Sequence, residues 1–155
     1  MAGLGGCFFD TSVLLAGIIE LAGPHAPQQG LMDAVARGAF DRPRTAWHCC
    51  LEFYSVATRL PPELRVSPED ARRLVEEEIM ARFSVHSLPR DRRAGFIRMA
   101  AGDAIAGGRI YDAHIAEVAR GAGADIVVTD NRRHFLQLLR SGTRVLTSAE
   151  MLEEL

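Results

Sequence analysis

Short apolar runs alternate with longer amphipathic segments along the whole chain. A short apolar run bounded by turn residues is typical of a buried strand, and apolar residues three or four positions apart are typical of a helix. Five runs fit a strand, at residues 7–9, 44–47, 83–88, 124–129 and 144–146. The remaining segments fit helices, at residues 12–21, 28–39, 49–60, 68–82, 90–104 and 111–120, then a segment that ends at Arg140 and a last helix that includes residues 150–154.

This alternation predicts the fold class. Strands separated by helices form a parallel sheet with helices on both faces, because each crossover returns the chain to the same edge. We therefore expect an α/β/α sandwich with a central five-stranded parallel sheet, formed by a single domain over residues 1–155. Two serines are the predicted N-caps of helices: Ser67, which precedes Pro68 and two acidic residues, and Ser148, which precedes the last helix.

The composition is that of a globular protein in a reducing compartment. Hydrophobic residues make up 48% of the 155 positions, but no apolar run reaches the ~18 residues needed to span a bilayer. No basic region precedes the first apolar stretch, so we expect neither a signal peptide nor a membrane segment. The three cysteines, Cys7, Cys49 and Cys50, do not fit a disulfide framework. We therefore expect a cytoplasmic protein.

The charged residues exclude several enzyme classes. All 18 basic residues are arginines, so the chain lacks the lysine that P-loop NTPases and Schiff-base enzymes require. The formal net charge of −2 does not fit a protein that coats nucleic acid, although it is compatible with a local basic rim around an acidic centre. Arginine favours bidentate phosphate contacts, but a biased genomic base composition produces the same usage.

Four carboxylates lie within apolar sequence instead of on a charged face. Asp10 and Asp130 directly follow predicted strands, at the edge where an α/β sheet collects its reactive groups. Glu52 lies within the helix after the second strand, and Asp112 lies in the first turn of its helix. Each has a structural alternative, since the aspartates can cap helices and Glu52 can pair with a buried arginine.

Taken together, the four carboxylates predict a metal site. If they converge, their mutual repulsion must be offset, and a divalent cation with oxygen ligands does this. No matching set of cysteine and histidine ligands accompanies them, which favours Mg²⁺, with Mn²⁺ as the alternative, over zinc. Such an ion activates water and polarises a phosphodiester, so the expected substrate is a polyanion.

Four segments around these carboxylates resemble a PIN-domain ribonuclease, specifically the VapC-type toxin of bacterial toxin–antitoxin pairs. They are DTSVL at residues 10–14, LEFYSV at 51–56, YDAHIA at 111–116 and VTDNRRHF at 128–135. The resemblance implies a PIN-like α/β/α fold and a Mg²⁺-dependent endoribonuclease that hydrolyses RNA. It also implies inhibition by a small antitoxin protein, and assembly as a homodimer or a toxin–antitoxin hetero-oligomer.

The resemblance also implies roles for individual residues. The first three carboxylates match the acidic positions of the family, but the fourth departs from the pattern. The family commonly places Asp or Asn two residues after the threonine, which here is Asn131, whereas Asp130 lies one residue after Thr129. We expect Asn131 to belong to the site. The expected catalytic and metal-binding residues are Asp10, Glu52, Asp112 and Asp130.

Hydroxyl and guanidinium groups near the carboxylates are candidate supporting residues. Thr11 and Thr129 are positioned to orient carboxylates or to bind substrate, although strand-end hydrogen bonds explain them equally well. Arg132 and Arg133 are candidates for holding phosphate at a helix N-terminus. The alternative for both arginines is a solvent-exposed helix face.

Several other hypotheses can be weighed from the sequence. A haloacid-dehalogenase-like phosphatase also uses an aspartate after its first strand, but it requires a second one where this chain has Ser12, and a lysine. A non-catalytic module that binds RNA or protein stays open. His48, Cys49 and Cys50 do not form a metal site, because neighbouring helical side chains cannot all face one ion. We expect these residues and His114 to be packing residues. The helices at 12–21 and 28–39 are candidate docking surfaces.

Overall fold

A computed structural model describes residues 3–155. It contains one five-stranded sheet in which every neighbouring pair is parallel, in the order β3-β2-β1-β4-β5. The strands are β1 (Cys7–Phe9), β2 (Arg44–Ala46), β3 (Ser84–His86), β4 (Ile126–Val128) and β5 (Arg144–Leu146). The predicted α/β/α architecture is therefore confirmed.

Seven α-helices and three other helical segments connect and flank these strands. The α-helices are α1 (Thr11–Ile18), α2 (Pro27–Ala36), α3 (Trp47–Ala57), α4 (Pro68–Leu74), α5 (Arg93–Gly102), α6 (Arg109–Gly121) and α7 (Ser148–Glu153). A π-helical segment, Val75–Met80, continues α4, and two 3₁₀ segments cover Arg90–Arg92 and Arg132–Ser141. No helix within residues 3–155 has both the length and the apolar character needed to cross a bilayer.

The segment between β4 and β5 differs from its prediction, because it is a 3₁₀ helix over Arg132–Ser141. Its two buried side chains, Phe135 and Leu138, are three residues apart, and a 3₁₀ helix has three residues per turn. This spacing places both on the face that packs against the core. Gly142 ends the segment with a φ of 83°, a conformation that glycine adopts without strain.

The N-cap of the last helix is Thr147, and the prediction of Ser148 is wrong. Thr147 and Glu150 form a reciprocal capping box, in which each side chain accepts a hydrogen bond from the other residue's backbone amide. A capping box needs an acid three residues after the cap, which Thr147 has and Ser148 lacks. The other predicted cap is confirmed, since Ser67 accepts a hydrogen bond from the amide of Asp70.

The hydrophobic core lies on both faces of the sheet and covers its central strands. All residues of β1 and β4 are buried, as expected for the middle strands of a parallel sheet. Phe9 packs edge-on against Phe40 and Phe83, with ring centroids 5.1 and 5.4 Å apart. This packing fixes the end of β1, the strand that leads directly into the polar residues of the site.

Helices α1 and α2 pack against each other through their apolar residues. Leu14 and Leu31 are fully buried, so the core uses the apolar residues that we predicted to form a docking surface. The close approach occurs at Gly17, where an added Cβ would lie 2.5 Å from the Cγ of Met32 and 2.6 Å from the backbone oxygen of Gln28.

We expect Gly17→Ala to destabilise the protein by about 1–3 kcal/mol, because the added methyl group would push α1 away from α2. Gly95→Ala is the matched control, since Gly95 also lies in a helix but a Cβ added there would have no atom within 4 Å. That substitution should stabilise the protein by about 0.5–1 kcal/mol through the better helix propensity of alanine. Urea unfolding measures both changes, and equal values for the two variants would contradict the packing argument.

Candidate active site

Asp10 is the buried polar residue at the end of β1, with only 5% of its surface exposed. It occupies the N-cap position of α1, but its side chain makes no capping hydrogen bond. Instead its Oδ2 accepts hydrogen bonds from the hydroxyls of Thr129, at 2.8 Å, and Ser12, at 3.2 Å. The interpretation of Asp10 as a simple helix cap is therefore wrong.

The environment of Asp10 disfavours its charged form. The pKa of this carboxyl is raised from 3.8 to about 6, because burial and the charge of Glu52 together outweigh the hydrogen bonds from Thr129, Thr11 and Ser12, which lower it. Within the described chain, no arginine or histidine forms a salt bridge with Asp10. A buried carboxylate without a cation is unfavourable, so the site lacks a positive charge.

Glu52 on α3 lies next in this group of acids. Its Oε1 accepts a hydrogen bond of 2.7 Å from the hydroxyl of Thr11, and its pKa is raised by burial and by the charge of Asp112. No arginine forms a salt bridge with it among the residues that the structure describes; its nearest basic group is Nε2 of His48, at 4.0 Å. The alternative of a buried arginine pair is therefore not what the structure shows.

Asp112 on α6 contacts His134, a residue that was not among the predicted site residues. Its Oδ2 lies 3.1 Å from Nδ1 of His134, and the Nε of Arg133 donates a hydrogen bond to Nε2 of the same ring at 3.3 Å. Because Nε2 accepts a hydrogen bond, the ring proton is on Nδ1, which donates a hydrogen bond to Asp112. The N-cap of α6 is Gly108, so Asp112 is not a cap.

The carboxylate of Asp130 contacts α7 and α2. Its oxygens accept hydrogen bonds from the amide and hydroxyl of Ser148, at 2.9 and 2.8 Å, and from the side-chain amide of Gln28, at 2.8 Å. These contacts correspond to the structural alternative of a helix-terminal carboxylate, although Asp130 accepts from the first-turn amide of α7, whose N-cap is Thr147, and not from the helix after its own strand. The backbone amide of Asn131 donates a hydrogen bond of 3.0 Å to the hydroxyl of Thr129. The same hydroxyl donates to Asp10.

The two candidate phosphate-binding arginines lie in different surroundings. Arg132 forms an ion pair with Glu150, which holds the pKa of that carboxyl below its usual range. Arg132 is therefore half-buried against α7 and is not on a fully solvent-exposed helix face. Arg133 is exposed and contacts His134, so it is the arginine of the pair that lies beside Asp112.

His48, His114 and the two adjacent cysteines pack in the interior, as we expected from the sequence. Nδ1 of His48 lies 3.0 Å from Nδ1 of His114, and burial lowers the pKa of both rings. Cys49 and Cys50 are buried and free. Burial raises the pKa of the Cys49 thiol to about 12 and that of Cys50 to about 11, so both thiols stay protonated and are poor metal ligands.

The donor set can be tested against a metal ion. Within residues 3–155, no group of three or more histidine, cysteine, aspartate or glutamate side chains is arranged to hold one ion. Mg²⁺ does not require such a group, because it is usually bound by one or two carboxylates and keeps several waters. Asp10 and Glu52 are carboxylates with raised pKa values and no cationic partner, so their chemistry fits a hard divalent cation.

Comparison with known proteins identifies the family. A model of the family described as the PIN domain matches residues 7–133, which include Asp10, Glu52, Asp112 and Asp130. The chain belongs to the PIN-domain family. It is 33% identical over 123 residues to "Ribonuclease VapC27" of Mycobacterium tuberculosis, an alignment that covers 79% of this chain and 83% of the relative. It is 31% identical to "Ribonuclease VapC40" of the same species, which it covers to 85%. The predicted resemblance is confirmed.

Solved structures show that this PIN domain has a known fold. The structure of VapBC-1 from nontypeable Haemophilus influenzae aligns with a TM-score of 0.59 at 15% identity, covering 92% of this chain and 98% of the matched one. A FitAB structure bound to a DNA fragment aligns with a TM-score of 0.60 at 13% identity, covering 92% and 94%. At these identities the alignments establish the arrangement of the sheet and helices.

Proposed function

We propose that this PIN domain is a Mg²⁺-dependent endoribonuclease that acts as the toxin of a toxin–antitoxin pair. The observation that carries the proposal is Asp10: a buried carboxylate at the end of a central strand, next to Glu52, with a raised pKa and no salt bridge to a basic side chain within residues 3–155. The names of the VapC relatives, which are called ribonucleases, support RNA as the substrate.

In this proposal the side chains have separate tasks. Asp10 and Asp112 would hold Mg²⁺ or Mn²⁺, with Glu52 in the direct or water-mediated shell. The positive charge of the ion would polarise the phosphodiester and favour ionisation of water. Thr129 and Ser12 keep Asp10 in position through their hydroxyls. Glu52, half-buried and with a raised pKa, accepts the proton of the attacking water.

Asp130 and Asn131 take different parts in the proposal. The carboxylate of Asp130 is engaged by Ser148 and Gln28, so it would stabilise the edge of the site without binding the ion. Asn131 would supply the fourth polar group through its side chain. Its backbone amide is hydrogen-bonded to Thr129, the threonine that holds Asp10, so the residue lies beside the site. Loss of activity in Asn131→Ala, with activity retained in Asp130→Asn, is the result that this assignment expects.

A protein partner is part of the same proposal. The matched structures contain VapBC and FitAB complexes, and an antitoxin arginine could supply the positive charge that Asp10 and Glu52 lack. Four exposed apolar residues of α3, α5 and α6 line one groove of about 510 Å³: Trp47, Leu51, Ile97 and Tyr111. This groove, and not α1 with α2, is the surface that we propose for the antitoxin or for a second copy of the chain.

Mapping of RNA ends tests the proposed function. Purified protein is incubated with total RNA and Mg²⁺, and the new ends are sequenced in parallel reactions with excess EDTA. We expect discrete ends that disappear with EDTA and return when Mg²⁺ or Mn²⁺ is added. A non-catalytic module would bind RNA but give identical ends in both reactions, and that result would overturn the proposal.

His134 should position Asp112 for the metal. We expect His134→Ala to weaken Mn²⁺ binding by about 10–100-fold, because a ligating carboxylate loses the hydrogen bond that orients it. His134→Asn should retain much of the wild-type affinity, since the asparagine side-chain amide can donate a hydrogen bond to Asp112 from nearly the same position as Nδ1. Electron paramagnetic resonance of free Mn²⁺ measures the affinity directly. Equal affinities for wild type and His134→Ala would contradict this role.

A further inference from the structure

A second groove begins at Asp112 on the opposite side from the apolar one. It has a volume of about 760 Å³ and is lined by α6, the end of α5 and the 3₁₀ segment Arg132–Ser141. Asp112 and His134 are both part of its wall, so the groove is continuous with the candidate active site. Its basic lining residues are Arg109, Arg120, Arg133 and Arg140.

Most of this basic charge is available to a ligand. The side chains of Arg109 and Arg140 are exposed, and within residues 3–155 neither makes a salt bridge. Arg133 contacts the ring of His134. Arg120 is paired with Glu117, which neutralises one of the acids in the lining. The groove therefore carries guanidinium groups without acidic partners beside an acidic centre.

The distribution of the arginines matches an extended polyanion better than a small anion. Arg133 and Arg140 lie near the two ends of the 3₁₀ segment Arg132–Ser141, and seven residues of 3₁₀ helix correspond to about 14 Å. A single phosphate group cannot reach both ends, whereas a nucleic acid strand presents phosphates repeatedly along its length. Guanidinium groups bind phosphate oxygens in bidentate geometry, which holds a strand in position without reading its sequence.

We infer that this arginine groove binds the sugar–phosphate backbone of the RNA strand on one side of the cleaved bond. The inference rests on the proposed ribonuclease function and adds the path of the substrate. Besides Asp112, the lining contains two acids, Glu117 and Asp103. Glu117 is neutralised by its ion pair, and Asp103 lies at the end of α5, so the strand would run closest to α6 and the 3₁₀ segment.

Binding of a labelled RNA tests the groove separately from catalysis. The probe is a fluorescein-labelled, mixed-sequence single-stranded RNA of about 20 nucleotides, measured by fluorescence anisotropy in EDTA across a range of salt concentrations. The variant is Arg109→Ala/Arg140→Ala, whose residues form no salt bridge with the carboxylates of the site. The matched control is Arg37→Ala/Arg42→Ala, which removes the same formal charge from two exposed arginines outside the groove.

We expect the groove variant to bind the RNA at least about tenfold more weakly, with a salt slope reduced by about 1.4, because two phosphate contacts are lost at about 0.7 each. The control should bind like wild type. Equal weakening of both variants, or of neither, would overturn the inference. If wild type binds through the groove but does not cut RNA with Mg²⁺, the proposed function fails and the groove stands. If wild type cuts RNA and the groove variant binds it equally well, only the groove inference fails.

Discussion

Replacement of Asp10 by asparagine should reduce RNA cleavage by at least about 1000-fold and at the same time stabilise the metal-free protein at neutral pH. The loss of activity follows because the neutral amide cannot provide the negative charge that holds the cation, a contribution of several kcal/mol to the barrier. The shape of the side chain and its acceptor for the hydroxyls of Thr129 and Ser12 are retained. Cleavage of a labelled RNA under single-turnover conditions measures the first effect.

The gain in stability follows from the raised pKa of Asp10. Between its unfolded value of 3.8 and its folded value of about 6, the folded protein binds a proton that the unfolded chain does not. Stability therefore falls as the pH rises through this window, by about 3 kcal/mol for a shift of about two units. Asparagine removes this loss, so the variant should be about 1–3 kcal/mol more stable than wild type at pH 7 in EDTA.

Thermal unfolding in EDTA at pH 7 and pH 4.5 separates this effect from an ordinary change in packing. The advantage of Asp10→Asn should be present at pH 7 and small at pH 4.5, where Asp10 of the wild type is already protonated. Asp33→Asn, on the exposed face of α2, is the control and should behave like wild type at both values. An Asp10→Asn protein that is inactive and also destabilised at pH 7 would contradict the interpretation of Asp10 as an uncompensated charge.

Acid should weaken metal binding strongly. Mg²⁺ competes with the proton that Asp10 binds with a pKa of about 6, so one titrating carboxylate predicts about tenfold weaker binding at pH 5 than at pH 7. Glu52, whose pKa is also raised, should make the dependence steeper because the two groups titrate together. RNA cleavage at subsaturating Mg²⁺ should fall in parallel.

Isothermal titration with Mn²⁺ at pH 5, 6 and 7 measures this dependence. The control is Asp33→Asn, which should show the same pH dependence as wild type. The expected trend is opposite in sign to the stability of the metal-free protein, since acid strengthens folding and weakens metal binding through the same group. A metal affinity that does not change between pH 7 and pH 5 would show that Asp10 does not hold the ion.

The central strands and the order of the elements could be predicted from the sequence because they depend on local patterns. β1 and β4 are continuous apolar runs, and they pair residue for residue from Cys7 opposite Ile126 to Phe9 opposite Val128. The ends of the strands could not be predicted as well, because the length of a strand depends on how far the neighbouring strands pair with it. The predicted strand at residues 83–88, for example, forms a strand only over Ser84–His86, where it pairs with β2.

The site could be predicted in part for the same reason. Asp10 and Glu52 are recognisable as acids inside apolar sequence. The partner of Asp112 could not be found, because His134 lies on a different element and reaches Asp112 only through the packing of the 3₁₀ segment against α6. Asp130 also follows a strand and looks equivalent to Asp10 in the sequence. Only the tertiary contacts with Ser148 and Gln28 distinguish its surroundings.

The most direct test of the proposed metal site is a crystal of this protein grown with Mn²⁺ and measured at the manganese absorption edge. We expect an anomalous peak from a Mn²⁺ ion that is coordinated by carboxylate oxygens of Asp10 and Asp112, with Glu52 in its direct or water-mediated shell. Crystals of Asp10→Asn should show no such peak. A peak at other residues, or clear density for Asp10 without any ion beside it, would contradict the proposal that these acids form a metal-dependent nuclease site.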